Sequence, residues 1–524
     1  MLERPGMNIA GVISLHARFR GQRTAFVCGD RRVTWAEFSP RVNKVANALL
    51  AGGLKKGDKV SLLALNSIQT LEIMYGTLLA GGVIVPLSAL LTPEMIASLI
   101  ADSASRFFIV AWPLQGLATP IMEKLIEIPK ERRLSIGFEN EAFKGFEEFI
   151  APASETDPGV SFMENDDCNI IYSSGTTGVP KGIVHTHSAR VLFGLAGAVE
   201  FRIDSSSTTI ISTPLFSNAT WMMLLATVQV GGTTVLLPLF KPEEFFSVVQ
   251  RERGTHIFLV PTQYQTILNH PEFKKSDLSS LRIMVSMGAA LPVPLKRRIL
   301  DEMGTGLIEL YGLTEGLGST LKPEDIQRKT GSVGTPVSGT DIRIIDDLGK
   351  EVPQGEVGEI VGFSHAMMKG YHNRPEATSE IIWHDERGRT YIRSGDIGRL
   401  DEDGFLYILD RKRDMIVSGG LNVFASDIEE VFIQHPAVKE VAVIAVPHEK
   451  WGEVPLALVI RQTNANVNEE NLKEWVNARV AKHQKVSKVE FRTEPFPRNV
   501  LGKLLKRQLR EPYWQKSSNL CPNL

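Results

Sequence analysis

Residues 172–182, YSSGTTGVPKG, bring four serine and threonine hydroxyls, three glycines and a lysine together in a stretch with no other charge. Glycine lets backbone N–H groups approach an anion closely, hydroxyls donate to phosphate oxygens, and lysine adds positive charge. The preceding apolar run, NIIY, predicts a strand. The sequence therefore predicts a phosphate-binding loop at a strand end, formed by Ser173, Ser174, Gly175, Thr176, Thr177, Gly178 and Lys181.

The spacing within this loop differs from that of a Walker loop. A Walker loop has four residues between its glycines and a hydroxyl residue directly after its lysine. In this chain Gly175 and Gly178 are closer together, and Gly182 follows Lys181. A plain surface turn is the alternative, because Ser, Thr, Gly and Pro are ordinary turn residues. The composition of the loop leaves both interpretations open.

The same string resembles the signature loop of the adenylate-forming superfamily, which includes acyl-CoA synthetases, adenylation domains of peptide synthetases and firefly luciferase. Further family motifs follow in order: YGLTE at 311–315, GEIVGFSHAMMKGYHNRPEAT at 358–378, YIRSGD at 391–396, DRKRDMIVSGGLN at 410–422 and PRNVLGK at 497–503. Ser394 and Asn499 stand where the family usually has threonine. The chain thus resembles an AMP-dependent acyl-CoA synthetase or ligase from residue 172 to residue 503.

Length, charge and cysteine content narrow the class of protein. A chain of 524 residues predicts two or more domains, and 58 Lys and Arg against 60 Asp and Glu disfavour a nucleic-acid partner. Cys28, Cys168 and Cys521 are scattered without metal or redox spacing, which predicts free thiols in a reducing compartment. The N-terminus has no sustained apolar run of a secretory signal. We therefore expect a cytoplasmic enzyme.

Alternating strand and helix patterns predict an α/β fold with largely parallel sheets. Two apolar segments, 71–91 and 205–240, are long enough to span a membrane, but internal glycines and prolines favour a buried helix, a turn and a buried strand. After about residue 410 the pattern predicts a compact α+β unit, with a loosely ordered tail from Glu511.

The resemblance implies the same partition of the chain. A large N-terminal domain of β-sheets layered with helices covers 1–410, and a small mobile α+β C-terminal domain covers 411–524. The hinge lies at about 410–413, on Arg413, where relatives carry Asp or Lys.

The resemblance also implies a reaction in two steps that uses ATP, Mg²⁺ and CoA. A carboxylate is a poor electrophile, so it first attacks the α-phosphorus of ATP, and a thiol then attacks the acyl-adenylate. Negative charge crowds the α-phosphate in the first step, so preorganised cations should carry most of the catalysis. The family match makes Lys503, Glu315 and Thr176 the catalytic residues. Glu315 would also hold Mg²⁺, a hard cation that prefers oxygen ligands.

The nucleotide-binding residues outside the loop follow from the same match. They are Gly288, Ala289, Ala290 and Tyr311 at the adenine, Thr314 at a phosphate, and Asp396 and Arg411 at the ribose, with Gly312 as a further nucleotide-binding residue. Without the family context these motifs have ordinary interpretations: Thr-Glu is typical of a helix cap, Gly-Asp of a turn, and a lysine near the chain end of a solvated surface.

The thiol and acid sites are expected in other segments. Gly419 and Gly420 would line a pantetheine groove, and Trp451 would pack on CoA, although a flexible turn and burial in the small domain are the alternatives. Phe216, Ser217 and Trp221 would line the acyl pocket, with Ser217 in place of the family's gating histidine. A further alternative is a metal pair formed by the two histidines of HTH, at 185 and 187, although no third ligand follows.

The apolar residues after Ser217 favour an apolar acid, either fatty or aromatic. The sequence predicts an AMP-forming acid–CoA ligase. The alternatives are an enzyme that loads a carrier protein, a luciferase-like oxygenase and a non-catalytic ligand-binding relative. Retention of Lys181, Glu315, Asp396 and Lys503 together argues against the last.

Overall fold

Alternation of strands and helices dominates the computed structural model, which describes residues 6–173, 180–304, 306–463, 465–498 and 502–518. Its strands, in chain order, are β1 Thr24–Cys28, β2 Arg31–Thr34, β3 Lys59–Leu63, β4 Val83–Pro86, β5 Phe107–Ala111, β6 Arg133–Ile136, β7 Lys144–Gly145, β8 Asp167–Ser173, β9 Lys181–Thr186, β10 Thr208–Ile211, β11 Thr233–Leu236, β12 His256–Leu259, β13 Ile283–Met287, β14 Leu307–Gly312, β15 Gly318–Leu321, β16 Thr335–Pro336, β17 Thr340–Ile345, β18 Gly358–Ser364, β19 Gly370–Tyr371, β20 Ile382–His384, β21 Thr390–Leu400, β22 Leu406–Arg411, β23 Ile416–Ser418, β24 Leu421–Val423, β25 Val438–His448, β26 Gly452–Arg461 and β27 Lys488–Arg492.

The α-helices of the described residues are α1 Gly11–Arg20, α2 Trp35–Ala51, α3 Ile68–Leu79, α4 Pro93–Asp102, α5 Gln115–Ala118, α6 Phe146–Ile150, α7 His187–Glu200, α8 Asn218–Val230, α9 Pro242–Glu252, α10 Pro261–Leu268, α11 Val293–Met303, α12 Pro375–Glu380, α13 Ala425–Ile433, α14 Glu469–Asn477 and α15 Lys506–Ser518. Short 3₁₀ helices occupy Thr119–Lys124, Lys130–Arg132, Phe273–Lys275 and Lys482–Gln484. The predicted α/β class is confirmed.

Local sequence signals account for several of these boundaries. Thr34 accepts a hydrogen bond from the Glu37 amide, and the Glu37 carboxylate accepts one from the Thr34 amide, so a capping box starts α2. At α4 the Thr92 side chain accepts the Met95 amide, and Pro93 occupies the first helical position. A side-chain cap satisfies N–H groups that the first helical turn leaves without a partner.

Two sheets contain most of the parallel strands. The first runs β15-β14-β13-β12-β10-β11-β1-β2, and the second runs β19-β9-β8-β4-β3-β5-β6-β7. Pairing is parallel through the middle of each, with antiparallel β2 and β15 in the first and β9 in the second. Parallel strands joined by helices are buried on both faces, and β5, β12 and β13 are buried at every position.

The two long apolar segments are interior elements. The first forms α3 and β4, and the second contains α8 and β11. In α8 the run Trp221 to Leu225 is at most 5% exposed. Across the described part of the chain, no helix combines the length and apolar character needed to cross a membrane.

The chain divides into two compact units. The first holds the described residues up to Thr330, with Pro336–Asp341 and Phe363–Ile392; the second holds Gly331–Thr335, Ile342–Gly362 and the described residues from Arg393 onward. Within the second unit, β22 pairs antiparallel with β21, and a further sheet runs β24-β23-β26-β25 with β27 paired to β26. The domain boundary at 410–413 stays a prediction.

The prediction of a loosely ordered tail is wrong for residues 511–518, which belong to α15. Leu509 is buried against Ala442 and Ile444 of β25, and the Trp514 indole N–H donates to the Ala445 carbonyl at 3.1 Å. The Tyr513 hydroxyl donates to Glu490. Burial of one apolar helix face on β25 outweighs the helix-breaking tendency of Pro512.

Candidate active site

Four adjacent parallel strands of the first sheet, β10, β12, β13 and β14, end at one edge. Ligands of open α/β sheets bind outside the carboxyl ends of the strands. Residues 212–217 follow β10, residues 288–290 follow β13, and Tyr311 and Gly312 end β14. The segments predicted to hold acid and adenine therefore lie along a single edge, as this reaction would require.

The phosphate-binding loop begins and ends on paired strands. Ser173 is the last residue of β8, Lys181 is the first of β9, and the two are opposite each other in an antiparallel pair. The predicted phosphate ligands Ser174, Gly175, Thr176, Thr177 and Gly178 lie outside the described residues. Their roles in phosphate binding stay predictions. The described residues Ser173 and Lys181 show that the loop starts at the end of β8 and finishes at the beginning of β9.

Tyr371 connects Lys181 to Glu315. Its hydroxyl donates to Glu315 Oε1 at 2.8 Å, and Lys181 Nζ lies 4.8 Å from the centroid of its ring. Burial raises the pKa of Tyr371, and the adjacent Glu315 carboxylate raises it further, so the phenol stays a hydrogen-bond donor. Register explains the arrangement, because β19 pairs with β9 and sets Tyr371 opposite Ile183.

The GYHNRP segment that contains Tyr371 belongs to a family motif, but the sequence alone predicts no role for this tyrosine. The signal was present, since a tyrosine next to a glycine in a family motif is a candidate for a site contact. Its partners could not be read from the sequence, because Lys181 and Glu315 are 190 and 56 residues away along the chain.

Glu315 and Thr314 offer oxygen atoms that fit Mg²⁺. A hard divalent cation takes carboxylate, carbonyl and water oxygens, and Glu315 brings a carboxylate oriented by Tyr371. The Thr314 carbonyl is already engaged, because His185 Nε2–H donates to it at 2.9 Å. Glu315 could therefore hold the cation against triphosphate oxygens while Thr314 offers a hydroxyl.

The two histidines of HTH do not form a metal pair. Strand β9 ends at Thr186, so His187 begins α7, and its Nδ1 accepts the Ile9 amide at 3.4 Å, whereas His185 bonds to Thr314. Within the described ranges, no group of three or more His, Cys, Asp or Glu side chains is arranged to hold a metal ion.

Asp396 and Arg411, predicted at the ribose, are brought together in the second unit. They are opposite each other on β21 and β22, and Arg411 Nε lies 3.2 Å from Asp396 Oδ1. The Asp396 carboxylate is buried, with 3% of the residue exposed. The ion pair gives the carboxylate a fixed orientation, which suits recognition of a diol.

Lys503 lies within electrostatic reach of this pair. Burial, and then the charge of Arg411, lower the pKa of Lys503 to about 8 against the opposing charge of Asp396. Lys503 is therefore placed near the predicted ribose ligands of its own unit. An ammonium group with a lowered pKa is poorly solvated and gains strongly from an incoming anion.

The hinge segment is anchored at Asp410. Its Oδ2 accepts the Ala425 amide at 2.8 Å at the start of α13, and its Oδ1 accepts the Arg411 amide at 2.7 Å. The Arg413 carbonyl accepts from Arg510 at 3.1 Å. These contacts describe how the segment is held in this conformation, and the pivot at Arg413 stays a prediction.

Gly419 and Gly420 form the two-residue turn between β23 and β24. Their φ angles are +58° and +82°, a conformation that side chains disfavour. The Gly419 amide donates to the Trp451 carbonyl at 2.8 Å, and a Cβ on Gly419 would come within 2.7 Å of the Trp451 ring. Trp451 is 47% exposed, so the alternative that it is buried in the small domain is wrong.

The predicted acyl residues flank the start of α8. Ser217 is the residue before the helix and is 6% exposed, and Phe216 is half-buried. Trp221 is 1% exposed, and its indole N–H donates to the Leu215 carbonyl at 2.7 Å. These residues lie at the end of β10, where the sheet edge predicts a ligand site, and their role in acid binding stays a prediction.

Comparison with known proteins agrees with this geometry over nearly the whole chain. The model of AMP-binding enzymes matches residues 14–372, and the model of the AMP-binding enzyme C-terminal domain matches residues 427–503. A feruloyl-CoA synthase of an Amycolatopsis species is 34% identical over 501 residues, which cover 95% of this chain and 97% of that protein. The long-chain-fatty-acid–CoA ligase FadD13 of Mycobacterium tuberculosis is 35% identical over 489 residues, covering 92% and 94%.

A solved structure is similar along the entire fold. The anthranilate CoA ligase AuaEII, in complex with anthranoyl-AMP, aligns with a TM-score of 0.88 and 28% identity, covering 98% of this chain and 99% of that chain. Likeness at this coverage extends to both units of the chain.

Proposed function

We propose that this chain activates an apolar carboxylic acid, either fatty or aromatic. The chain belongs to the family of AMP-binding enzymes and is an AMP-forming acid–CoA ligase that uses ATP and CoA. In the first step a carboxylate oxygen attacks the α-phosphorus and pyrophosphate leaves. In the second step the CoA thiol attacks the acyl carbon and AMP leaves. Our proposal concerns the class of acid and the role of each site residue.

The observation that carries the proposal is the convergence of Lys181 and Glu315 on Tyr371. The lysine would neutralise triphosphate oxygens, and Mg²⁺ held by Glu315 would supply further positive charge there. Tyr371 orients the carboxylate without competing for the cation, because its raised pKa keeps it a neutral donor.

Lys503 is proposed to stabilise the α-phosphate as it is attacked. Its lowered pKa reflects a poorly hydrated ammonium group, which interacts more strongly with developing phosphoryl charge than a surface lysine would. Asp396 and Arg411, in the same unit, would hold the ribose.

An apolar acid is supported by the position of α8 and by the relatives. The buried apolar residues Trp221, Met222, Met223 and Leu224 begin four positions after Ser217, so apolar side chains lie close to the start of α8. Two relatives are named for feruloyl and long-chain fatty acids, and the solved neighbour contains anthranoyl-AMP. The free cysteines Cys28 and Cys168 support a reducing compartment, and we propose that the enzyme is cytoplasmic.

A pyrophosphate-release screen over fatty, benzoic and cinnamic acids, with and without CoA, tests the proposal. We expect release with at least one of these classes and a CoA thioester only when CoA is added. Lys503→Ala should nearly abolish release while thioester formation from supplied acyl-AMP persists. Equal loss of both steps would contradict the role of Lys503, and release with none of the acids would contradict the substrate class.

A further inference from the structure

Arg190, in the first turn of α7, is a fully buried arginine whose hydrogen-bond partners among the described residues are neutral. The residue is 1% exposed, and burial lowers its pKa to about 9. Buried arginines ordinarily pair with carboxylates, because an uncompensated charge is costly to remove from water. Among the carboxylates that the structure describes, none forms an ion pair with Arg190, and burial raises the pKa of the nearby Cys168 thiol to about 12, which keeps it neutral.

The guanidinium is held by three side chains from three different elements. Its Nε donates to Asn169 Oδ1 on β8 at 2.7 Å, one terminal nitrogen donates to Asn218 Oδ1 on α8 at 2.8 Å, and the other lies 3.2 Å from His185 Nδ1 on β9. The Trp221 and Phe193 rings lie 5.0 and 5.1 Å from its central carbon. Together, these hydrogen bonds and ring contacts hold the guanidinium in one position.

Arg190 also determines the tautomer of His185. A guanidinium has no acceptor, so His185 Nδ1 must accept, and the ring proton must be on Nε2. That Nε2–H donates to the Thr314 carbonyl at 2.9 Å. Burial, and then the charge of Arg190, lowers the pKa of His185 well below its ordinary value, so the imidazole stays neutral.

This chain of contacts joins the two halves of the proposed site. At one end is Asn218, which directly follows Ser217 at the acyl segment; at the other is Thr314, which directly precedes Glu315. Packing alone would be satisfied by an apolar side chain of similar volume, which often replaces a buried ion at no loss of stability. The free-energy cost of burying Arg190 therefore indicates a role for this residue other than packing.

We propose that Arg190 is a positioning residue for the adenylation step. Through His185 it holds the backbone of Thr314, and hence the Glu315 carboxylate, in register with the triphosphate. Through Asn218 it holds the first turn of α8, so the acid carboxylate and the α-phosphorus are kept in mutual alignment. The inference rests on the proposed function of Glu315 and of the segment at Ser217.

The test compares Arg190→Met, His185→Leu, their double variant and His185→Gln, which keeps an N–H donor. In pyrophosphate release we expect kcat to fall about 10–100-fold in Arg190→Met and in His185→Leu, as for other residues that orient a ligand. Thioester formation from supplied acyl-AMP should be unchanged. The double variant should be no worse than Arg190→Met alone, because His185 lies on one of the two routes that start at Arg190. His185→Gln should recover most of the rate lost in His185→Leu.

A second readout needs no turnover. Amide hydrogen exchange of residues 311–317, where the Leu313 amide donates to the Leu317 carbonyl and the Gly316 amide to the Leu313 carbonyl, should accelerate in Arg190→Met and His185→Leu but not in His185→Gln. Arg41→Met is the matched control, because Arg41 is held by the carboxylates of Glu72 and Glu147 on other helices. It should leave both readouts unchanged.

Multiplying losses in the double variant, or unchanged exchange at 311–317, would overturn the inference. If Arg190→Met does not fold, Arg190→Gln replaces it and is judged by the same outcomes. If the wild-type protein releases pyrophosphate with no acid of the panel, the proposed substrate class fails, and the exchange measurement decides the role of Arg190 alone.

Discussion

The hydrogen bond from Tyr371 to Glu315 can be tested by removing a single oxygen. Tyr371→Phe keeps the ring beneath Lys181 and deletes the 2.8 Å bond to Glu315 Oε1. A hydrogen bond to a charged group contributes about 1.5–3 kcal/mol. Tyr371 is half-buried, so we take the lower end, about 1.5 kcal/mol, which corresponds to roughly a tenfold loss in kcat/KM for MgATP.

The ring itself should contribute separately. Tyr371→Leu also removes the cation–π contact with Lys181, which is worth about 0.5–1 kcal/mol at a partly exposed site, so we expect a further loss of about two- to fivefold. The two variants together therefore separate the hydroxyl from the ring.

Initial rates of pyrophosphate release at varied MgATP measure both losses, with melting temperature recorded for each variant. Tyr513→Phe is the matched control, since its hydroxyl also donates to a carboxylate, that of Glu490, on the second unit. It should leave kcat/KM unchanged. A loss below about twofold in Tyr371→Phe would refute the reasoning, because a bond of about 1.5 kcal/mol cannot vanish with so small an effect. So would an equal loss in thioester formation from supplied acyl-AMP.

Three further predictions concern charge, acid selectivity and the thiol step. Burial lowers the pKa of Lys503 to about 8, and the ammonium form is the one that neutralises phosphate, so pyrophosphate release should fall as pH rises through about 8. Lys503→Arg, with a pKa above about 12, should lose that alkaline fall whatever its absolute rate, and an unchanged profile would contradict the assignment. Ser217→His should change acid preference or the rate of the thiol step, measured over the acid panel; a change confined to ATP affinity would count against a role in the acyl pocket. Gly419→Ala should raise the KM for CoA without affecting pyrophosphate release, because its Cβ would displace the Trp451 ring. Gly420→Ala is the control, since it strains the same turn but its Cβ meets no atom within 4 Å. Equal effects of the two substitutions would mean that backbone strain, not Trp451, is responsible.

Local signals were sufficient for much of the fold. The Thr34 capping box and the Pro93 helix start both depend on residues that are neighbours in sequence. Caps, prolines and apolar periodicity act over a few residues, so their effect is the same in any chain that contains them. The tail was predicted incorrectly because α15 is stabilised by packing on β25, which lies far away in the sequence.

The candidate site also has features that the sequence predicts and features that only the tertiary structure shows. The motifs identified Lys181, Glu315, Asp396 and Lys503 by residue type and order, and the pairing of Asp396 with Arg411 follows from two neighbouring strands. The histidines of HTH were considered as a pair on one strand face, and only the end of β9 at Thr186 separates them. Residue type indicates what chemistry a side chain can do, whereas a strand end decides which direction it faces.

The amino-acid sequence by itself determined the class of fold, the order of the motifs and the kind of reaction, because these depend on local propensity and on residue identity. Only the tertiary structure decided that Tyr371 joins Lys181 to Glu315 and that Arg190 joins the acyl segment to Thr314. Both depend on pairings between elements that are remote in the chain, such as β19 with β9, and on burial that no local pattern encodes. Contacts of that kind arise when whole sheets assemble, since the free energy that holds them comes from surfaces brought together by the fold.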